Sequence, residues 1–307
     1  GMGRLIRRVH STREPGKRGF KGMAAYLRPS SLDEALSALG DGAWTIIAGG
    51  TDYYPARVGL PLDDDILDIS ALSGLRSIRN DGGQWRIPAL ATWTDIQTAD
   101  LPAWFDGLKA AAREVGGAQI QNAGTLCGNL CNASPAADGM PVLLSLDAEV
   151  ELSSRAGIEV LPLAAFVQGN RRTALREDQL VSAVLIPAPG ASKEGGRAGG
   201  CFLKLGARRY MVISISMVAA ALEVDAVGLV TRAAVAVGAC SEVAQRLPGL
   251  EAELIGKPVG AALGDAVLAE HFASLTPIAD PRGTADYRLE SAATLCRRAL
   301  TQLGEAL

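Results

Sequence analysis

Residues 190–200, GASKEGGRAGG, hold five glycines and no side chain large enough to anchor a core. Glycine and small polar residues at that density read as a connector rather than as part of a helix or strand. The run is the strongest domain boundary in the sequence and commits the chain to at least two units, each with its own core. The 307 residues can supply them, since 48% are hydrophobic and 21% charged, the usage of ordinary globular proteins.

Before the boundary, strand and helix patterns alternate. In MAAYLRPSSLDEALSAL, Ser30 or Ser31 caps a helix that carries Leu32, Ala35, Leu36 and Leu39 on one face. WTIIAGG (44–50), DILDIS (65–70) and WRIPALATW (85–93) read as strands, and AWFDGLKAAAREVGG (103–117) as a helix with a glycine stop. PAADGMPVLLSLD (135–147) reads as a helix begun by Pro135. AEVELSS and IEVLPL make a hairpin, and QLVSAVLIPAP (179–189) is a strand that its prolines terminate. Beyond the boundary, CFLKLGARR, SMVAAALEV and GLVTRAAVAVGA form a β-rich patch, followed by three helical segments of which the last is 284–307. Strands followed by helices in two halves make an α+β fold. The expected division is a basic N-terminal tail at 1–22, a small α/β unit at 23–78, a larger α/β unit at 79–195 and a C-terminal unit at 196–307. The tail holds seven Lys/Arg against Glu14 alone, and its leading Gly-Met reads as an expression remnant. Short basic tracts are usually solvated, so the tail is expected to be loosely held and without chemistry.

Composition excludes several classes. No apolar run approaches the roughly 20 residues that cross a bilayer, and no secretory leader pattern is present. Five cysteines at irregular spacing do not form a disulfide framework, which favours a reducing, cytoplasmic setting. A net charge of −3 leaves no basic excess for nucleic acid. His10 and His271 are the only histidines, and neither sits in a pattern for nucleophilic catalysis. Cys127 and Cys131 lie four apart with no further ligand nearby, so no metal site is expected. GLEAELIGKP has Pro258 where a Walker motif needs Ser or Thr, and no strand leads into G-x-G-x-x-G.

Two loops carry what chemistry the chain offers. AGGTDYYP follows the strand WTII directly. Its paired glycines let backbone N–H groups turn toward an anion, Thr51 adds a hydroxyl, and Asp52 is placed to cap a following helix. A tight capped turn is the plainer account of the same residues. The second is GTLCGNLCNASPAAD (124–138), small and amide-rich. Thr125, Asn129, Asn132 and Ser134 offer neutral hydrogen bonds there, and Asp138 suits sugar or ribityl hydroxyls. A capped helix start at Pro135 explains Ser134 but not the residues before it. Neither loop holds a basic residue, so a diphosphate would rest on backbone N–H groups, and a dinucleotide fits.

AGGTD (48–52) together with QNAGTLCGNLCNASPAAD (121–138) resembles the FAD-binding medium subunit of molybdenum hydroxylases, the family of xanthine dehydrogenase, aldehyde oxidoreductase and aerobic carbon monoxide dehydrogenase. The resemblance extends over nearly the whole globular part, from YLRPSSLDEAL through LVSAVLIP and FLKLGARR to DYRLESAATLCRRAL. It implies a two-part FAD-binding domain of the VAO/PCMH-like type followed by a C-terminal sheet-plus-helices domain. It also implies FAD as cofactor, held by Ala48, Gly49, Gly50, Thr51 and Asp52 at the diphosphate and by Thr125, Gly128 and Asn129 with Ser134 close by. Asp138 is implied toward the sugar part, a backbone contact at Leu180 or Val181, and Lys204 as a further contact, although a lone strand lysine is more often solvent-exposed.

The partners implied are a molybdopterin-binding large subunit and a [2Fe–2S] small subunit, with NAD or another acceptor taking the electrons. The flavin does the redox chemistry, so no catalytic side chain is expected. The chain departs from the family pattern at Cys127, which replaces a glycine, at Gln121, which replaces an arginine, and in RRYMVISISMV, which lacks an aspartate. Two alternatives stand beside this reading: a self-contained FAD oxidoreductase of the same fold, and a degenerate structural subunit without flavin.

Overall fold

The run Leu180–Pro187 carries apolar side chains on both faces, the pattern of a strand covered from two sides. In the computed structural model, which describes residues 24–190 and 195–307, it is buried up to Pro187 and lies in the middle of a five-stranded sheet. The three units follow one another in chain order around it.

The first unit is a small parallel sheet with one helix. It comprises β1 (Tyr26–Leu27), α1 (Leu32–Asp41), β2 (Thr45–Ile47) and β3 (Ile66–Asp68), in the order β1-β3-β2. Ser31 caps α1 by accepting the Glu34 N–H at 3.2 Å, and the Glu34 carboxylate takes the Ser30 N–H at 2.8 Å. Leu36, Leu39, Leu67 and Ile69 form a core that continues into Ala89, Leu90 and Leu180 of the next unit.

The second unit opens with β4 (Arg79–Asp81), β5 (Gln84–Pro88), α2 (Trp93–Thr98), α3 (Asp106–Glu114), α4 (Ala118–Ala123), α5 (Leu126–Asn132) and α6 (Gly139–Ser145). It closes with the hairpin β6 (Glu149–Ser154) and β7 (Gly157–Pro162), then α7 (Leu163–Phe166), the ribbon β8 (Val167–Gly169) and β9 (Arg172–Thr173), and β10 (Leu180–Pro187). The sheet order is β4-β5-β10-β6-β7.

Three expectations change here. The strand anticipated over 85–93 ends at Pro88, because Thr92 and Asp95 form a reciprocal cap that starts α2 at Trp93. The helix anticipated from Pro135 begins at Gly139. The stretch read as a loop contains the helix α5, seven of its fifteen residues. Thr125 accepts the Gly128 N–H at 3.0 Å, and Leu126, Cys127 and Leu130 turn one face of α5 into the core.

The third unit is an antiparallel sheet of β11 (Arg197–Leu205), β12 (Ser216–Val224), β13 (Val230–Gly238) and β14 (Gln245–Arg246), followed by α8 (Pro248–Leu254) and α9 (Ala285–Ala306). Alternation along β12 sends Met217, Ala219 and Ala221 into the core shared with α3 and α6. Val218, Leu222 and Val224 face Leu295, Ala299 and Leu300 of α9. Gly199 and Gly200, read as connector, belong to β11. A Cβ on Gly200 would lie 2.7 Å from the Trp104 carbonyl oxygen, so the missing side chain is what lets β11 close against the turn before α3. Residues 1–22 lie outside the described part. Among the described residues no helix is long and apolar enough to cross a membrane.

Candidate functional site

The two sequence loops meet. Gly49 rests on the end of α4, where a Cβ would overlap the carbonyl of Ala123 and approach the Gly124 N at 3.1 Å. A Cβ on Gly124 would in turn stand 3.3 Å from Thr51 Oγ1. Gly50 has φ +66°, a conformation glycine adopts freely. The far side of the contact is fixed by backbone bonds from Trp93 N–H to Gly124 O (3.1 Å) and from Leu126 N–H to Ala91 O (3.3 Å).

Along this seam lies a row of donors. Among the described residues, the N–H groups of Gly49, Gly50, Thr51, Asp52 and Tyr53 meet no backbone acceptor, and neither does that of Cys127. Gly49 and Asp52 are exposed and the others half-buried or at the cleft wall. Thr125 spends its lone pair on the Gly128 N–H, which leaves its own O–H free to donate. Asp52 does not cap a helix as expected. The single 3₁₀ turn Pro55–Arg57 has no side-chain cap, and only the Asp52 carbonyl is engaged, by Ala56 at 3.3 Å.

Beside the seam opens a cleft of about 310 Å³ between the first two units. Ala48, Thr125, Gly128, Leu180 and Val181 line it, with Trp44, Ile46 and Ile69 forming an apolar wall and Arg176, Glu177 and Gln179 a polar one. Cys127 lines the same region, but its residue is only 3% exposed. Its side chain lies in the core against β10, where the Val184 amide points at the sulfur and burial pushes the thiol up. The bulk that replaces the family glycine is therefore stored behind the cleft wall. Gln121, in place of arginine, is tied locally: it donates to Arg113 O and accepts from Gln97.

Asp138 and Lys204 are far apart in sequence and joined in space. Lys204 Nζ lies 2.8 Å from Asp138 Oδ2, and Ser214 Oγ donates to Asp138 Oδ1 at 2.7 Å. The two side chains are 5% and 8% exposed, so the lysine is buried, contrary to the expectation for a lone strand lysine. Burial pushes the Asp138 carboxyl above its ordinary range, and the Lys204 charge and the hydrogen bonds from Lys204 and Ser214 work against that rise. Asn129 presents a buried Oδ1 without a donor, close to Gly139. Ser134 Oγ accepts the Ala136 N–H at 3.3 Å within a local turn.

Most of the expected residues fall into three groups, the amide seam at 49–52, the cleft wall at 48, 125, 128 and 180, and the buried pair 138–204, while Asn129 and Ser134 belong to none of them. Ser214 and Ala123 complete the arrangement and carry no sequence signal, one being a serine in an unremarkable run and the other an alanine. Among the described residues the one carboxylate–imidazole cluster is Glu253, Glu270 and His271. There His271 Nδ1 accepts the Leu268 N–H at 3.1 Å, which leaves the proton on Nε2 and no lone pair facing the carboxylates.

An amide-lined seam whose own loops carry no cation, a cleft with an apolar wall at one side and an orphaned buried acceptor suit an extended ligand with an anionic middle and hydrogen-bonding ends. Comparison with known proteins agrees. Residues 19–189 match the family described as FAD binding domain in molybdopterin dehydrogenase, and residues 202–303 match the CO dehydrogenase flavoprotein C-terminal domain. The nicotinate dehydrogenase FAD-subunit of Eubacterium barkeri is 31% identical over 87% of this chain and 91% of its own length. The chain is also similar in structure to reconstituted CO dehydrogenase from Oligotropha carboxidovorans, with a TM-score of 0.82, 26% identity and coverage of 92% of this chain and 98% of that one. Quinoline 2-oxidoreductase from Pseudomonas putida 86 gives a TM-score of 0.79 at 26% identity, covering 92% and 96%.

Proposed function

The chain belongs to the family of FAD-binding subunits of molybdopterin dehydrogenases, and from that premise we propose that it carries electrons through FAD from iron–sulfur clusters on a partner to an external acceptor. The observation that carries the reading is the row of unpartnered amides from Gly49 to Tyr53, closed against Ala123 and Gly124. A diphosphate set there would accept from backbone N–H groups of both loops, including that of Cys127, and from the Thr125 hydroxyl. The apolar cleft next to it would hold one end of the dinucleotide near Leu180 and Val181. Asp138 and Lys204 would stand toward the other end.

The isoalloxazine ring supplies the redox chemistry when bound, and the protein's part is to bind, orient and tune it. Gly49 and Gly50 hold the donors in place. Lys204 neutralises Asp138, so the site meets its cofactor without a net charge from this pair.

Among the described residues no group of cysteines gathers to hold an iron–sulfur cluster. The clusters and the molybdenum would therefore reside on a small and a large partner subunit. Relatives named as a medium chain, an FAD-subunit and a subunit beta are named as parts of larger enzymes in the same way. NAD or another oxidant would take the electrons. The test is the visible spectrum of the purified chain before and after incubation with FAD and desalting, combined with co-purification from its native host. A folded chain that retains no flavin and brings down no molybdenum-containing partner would overturn the proposal.

A further inference from the structure

We infer that Arg288, on the last helix, is a positioning residue for the Asp138–Lys204 pair and through it for the cofactor site; the inference rests on the FAD reading above, which sets that pair toward one end of the ligand. Arg288 is 3% exposed and reaches inward from α9. Its Nη1 donates to the carbonyls of Ile215 at 2.5 Å and Ala239 at 3.1 Å, and its Nη2 donates to Asp280 Oδ1 at 2.8 Å.

Each carbonyl leads back to the same pair by a short path. Ile215 follows Ser214, whose hydroxyl holds Asp138 Oδ1, and the Ile215 N–H bonds Leu205 O at 2.8 Å, next to Lys204. Ala239 stands at φ +61°, and its N–H donates to Pro135 O at 3.1 Å, three residues before Asp138. One buried guanidinium therefore fixes the segment that presents Ser214, the strand end that presents Lys204 and the turn that leads into Asp138.

Asp280 fixes the guanidinium in turn. Its Oδ1 also takes the Arg282 N–H at 2.9 Å, and its carboxyl is held down to about 2, by that backbone bond first and by Arg288 after it. A planar fork can serve two carbonyls and a carboxylate together, which the single ammonium of a lysine cannot do in the same geometry. The Nε of Arg288 is buried without a partner, so the brace tolerates an unsatisfied donor to keep the fork in place. Hydrogen bonds and charge near the ring are what a flavoprotein uses to set its flavin's electronics. A shift of Asp138 against Lys204 would reach the flavin as a change of local field.

The experiment uses the full chain loaded with FAD, comparing wild type with Arg288→Lys, Asp280→Asn, Ser214→Ala and the double variant Arg288→Lys/Ser214→Ala. The readouts are the shape of the bound-flavin absorption band, its midpoint potential, the FAD dissociation constant and the melting temperature. Arg288→Lys is expected to raise the dissociation constant about tenfold, the size of one hydrogen bond to the ligand lost when the displaced pair moves. It should also move band and potential in the same direction as Ser214→Ala. Because the two residues act on one pair, the double variant should shift them by less than the sum of the single shifts. A folded Arg288→Lys variant with a lowered melting temperature but wild-type band and potential would reduce Arg288 to a structural brace and overturn the inference. Should Arg288→Lys not fold, Asp280→Asn decides: a smaller shift of the same sign supports the inference and an unchanged band refutes it. A wild-type chain that holds no flavin refutes the cofactor reading itself and takes this inference with it.

Discussion

Gly49→Ala is the sharpest perturbation the site offers. The added Cβ would overlap the Ala123 carbonyl carbon and oxygen and crowd the Gly124 nitrogen. All three are backbone atoms, so no flexible side-chain end can move aside, and relief requires the seam to open by roughly an ångström. Overpacking of this kind costs about 1–3 kcal/mol, and a backbone-on-backbone clash belongs at the upper end. The larger loss falls on binding. If opening the seam takes two amides out of reach of a diphosphate, each at ~1.5–3 kcal/mol for a hydrogen bond to a charged group, the FAD dissociation constant rises by about 10²–10⁴. Gly50→Ala should cost less. Its φ of +66° adds ~1–2 kcal/mol, but the only clash is with the ring of Tyr54, which is 46% exposed and can swing away. Gly42→Ala serves as control, since its backbone is extended and the nearest heavy atom to an added Cβ is 3.8 Å away. Titration of each apo variant with FAD, followed by flavin fluorescence, should rank the losses as Gly49, then Gly50, then Gly42. A folded Gly49→Ala chain that binds FAD within about threefold of wild type would refute the seam as the diphosphate site, since the loss of even one hydrogen bond to a charged group, at ~1.5 kcal/mol or more, exceeds that factor.

The seam carries no basic side chain, so FAD binding measured across a tenfold range of ionic strength should change by less than about threefold. Asp138→Asn leaves the Lys204 ammonium buried at 5% exposure without its carboxylate. That should cost ~3–5 kcal/mol, with Asp138→Asn/Lys204→Met regaining most of it in thermal melts. Cys127→Gly restores the family residue but empties a buried position inside a helix. It should destabilise the fold by ~2 kcal/mol and leave the FAD dissociation constant unchanged, whereas tenfold tighter binding would mean the thiol intrudes on the cofactor. Stability in denaturant should decline at both ends of the pH scale. Asp280, held at about 2 against an ordinary 3.8, contributes fully above its unfolded value and loses that contribution as pH falls through the folded one. Tyr26, raised from 10.0 to about 12 by its hydrogen bond to Asp68, contributes fully below 10 and is lost as pH rises through about 12. Flattening of the acid limb in Asp280→Asn and of the alkaline limb in Tyr26→Phe checks both.

What the sequence disclosed followed the range of the forces involved. Ser31 with Glu34, the apolar run of β10 and the hairpin of β6 and β7 are set by neighbours a few residues away, and all three were legible as patterns. The stretch 124–138 was legible as unusual but was read as loop, because small and amide residues weigh against a helix. The structure resolves that conflict with a local cap at Thr125 and a tertiary one: Leu126, Cys127 and Leu130 gain a core that no propensity counts. Gly199 and Gly200 escape a local reading for the same reason: Gly200 makes room for the turn before α3 and Gly199 lies against Leu303 and Leu307 at the end of the last helix. Asp138 and Lys204 are 66 residues apart, and nothing local distinguishes a lysine that will be buried from one that will not.

The two loops also explain each other energetically. A glycine loop with five unengaged amides is stable only while water serves them, and filling the cleft with an apolar ligand would strand each at a cost of about 1–3 kcal/mol. A ligand that brings a run of oxygens converts the same amides from a penalty into the binding energy. Selectivity for a diphosphate over an uncharged molecule of equal size therefore follows from what the seam lacks, an acceptor of its own, as much as from what it offers. The absence of a lysine or arginine in either loop fits that logic. A cation there would hold simple anions from solution, whereas spaced backbone donors reward only a ligand long enough to reach from the glycine loop to the start of α5 and on toward Asp138.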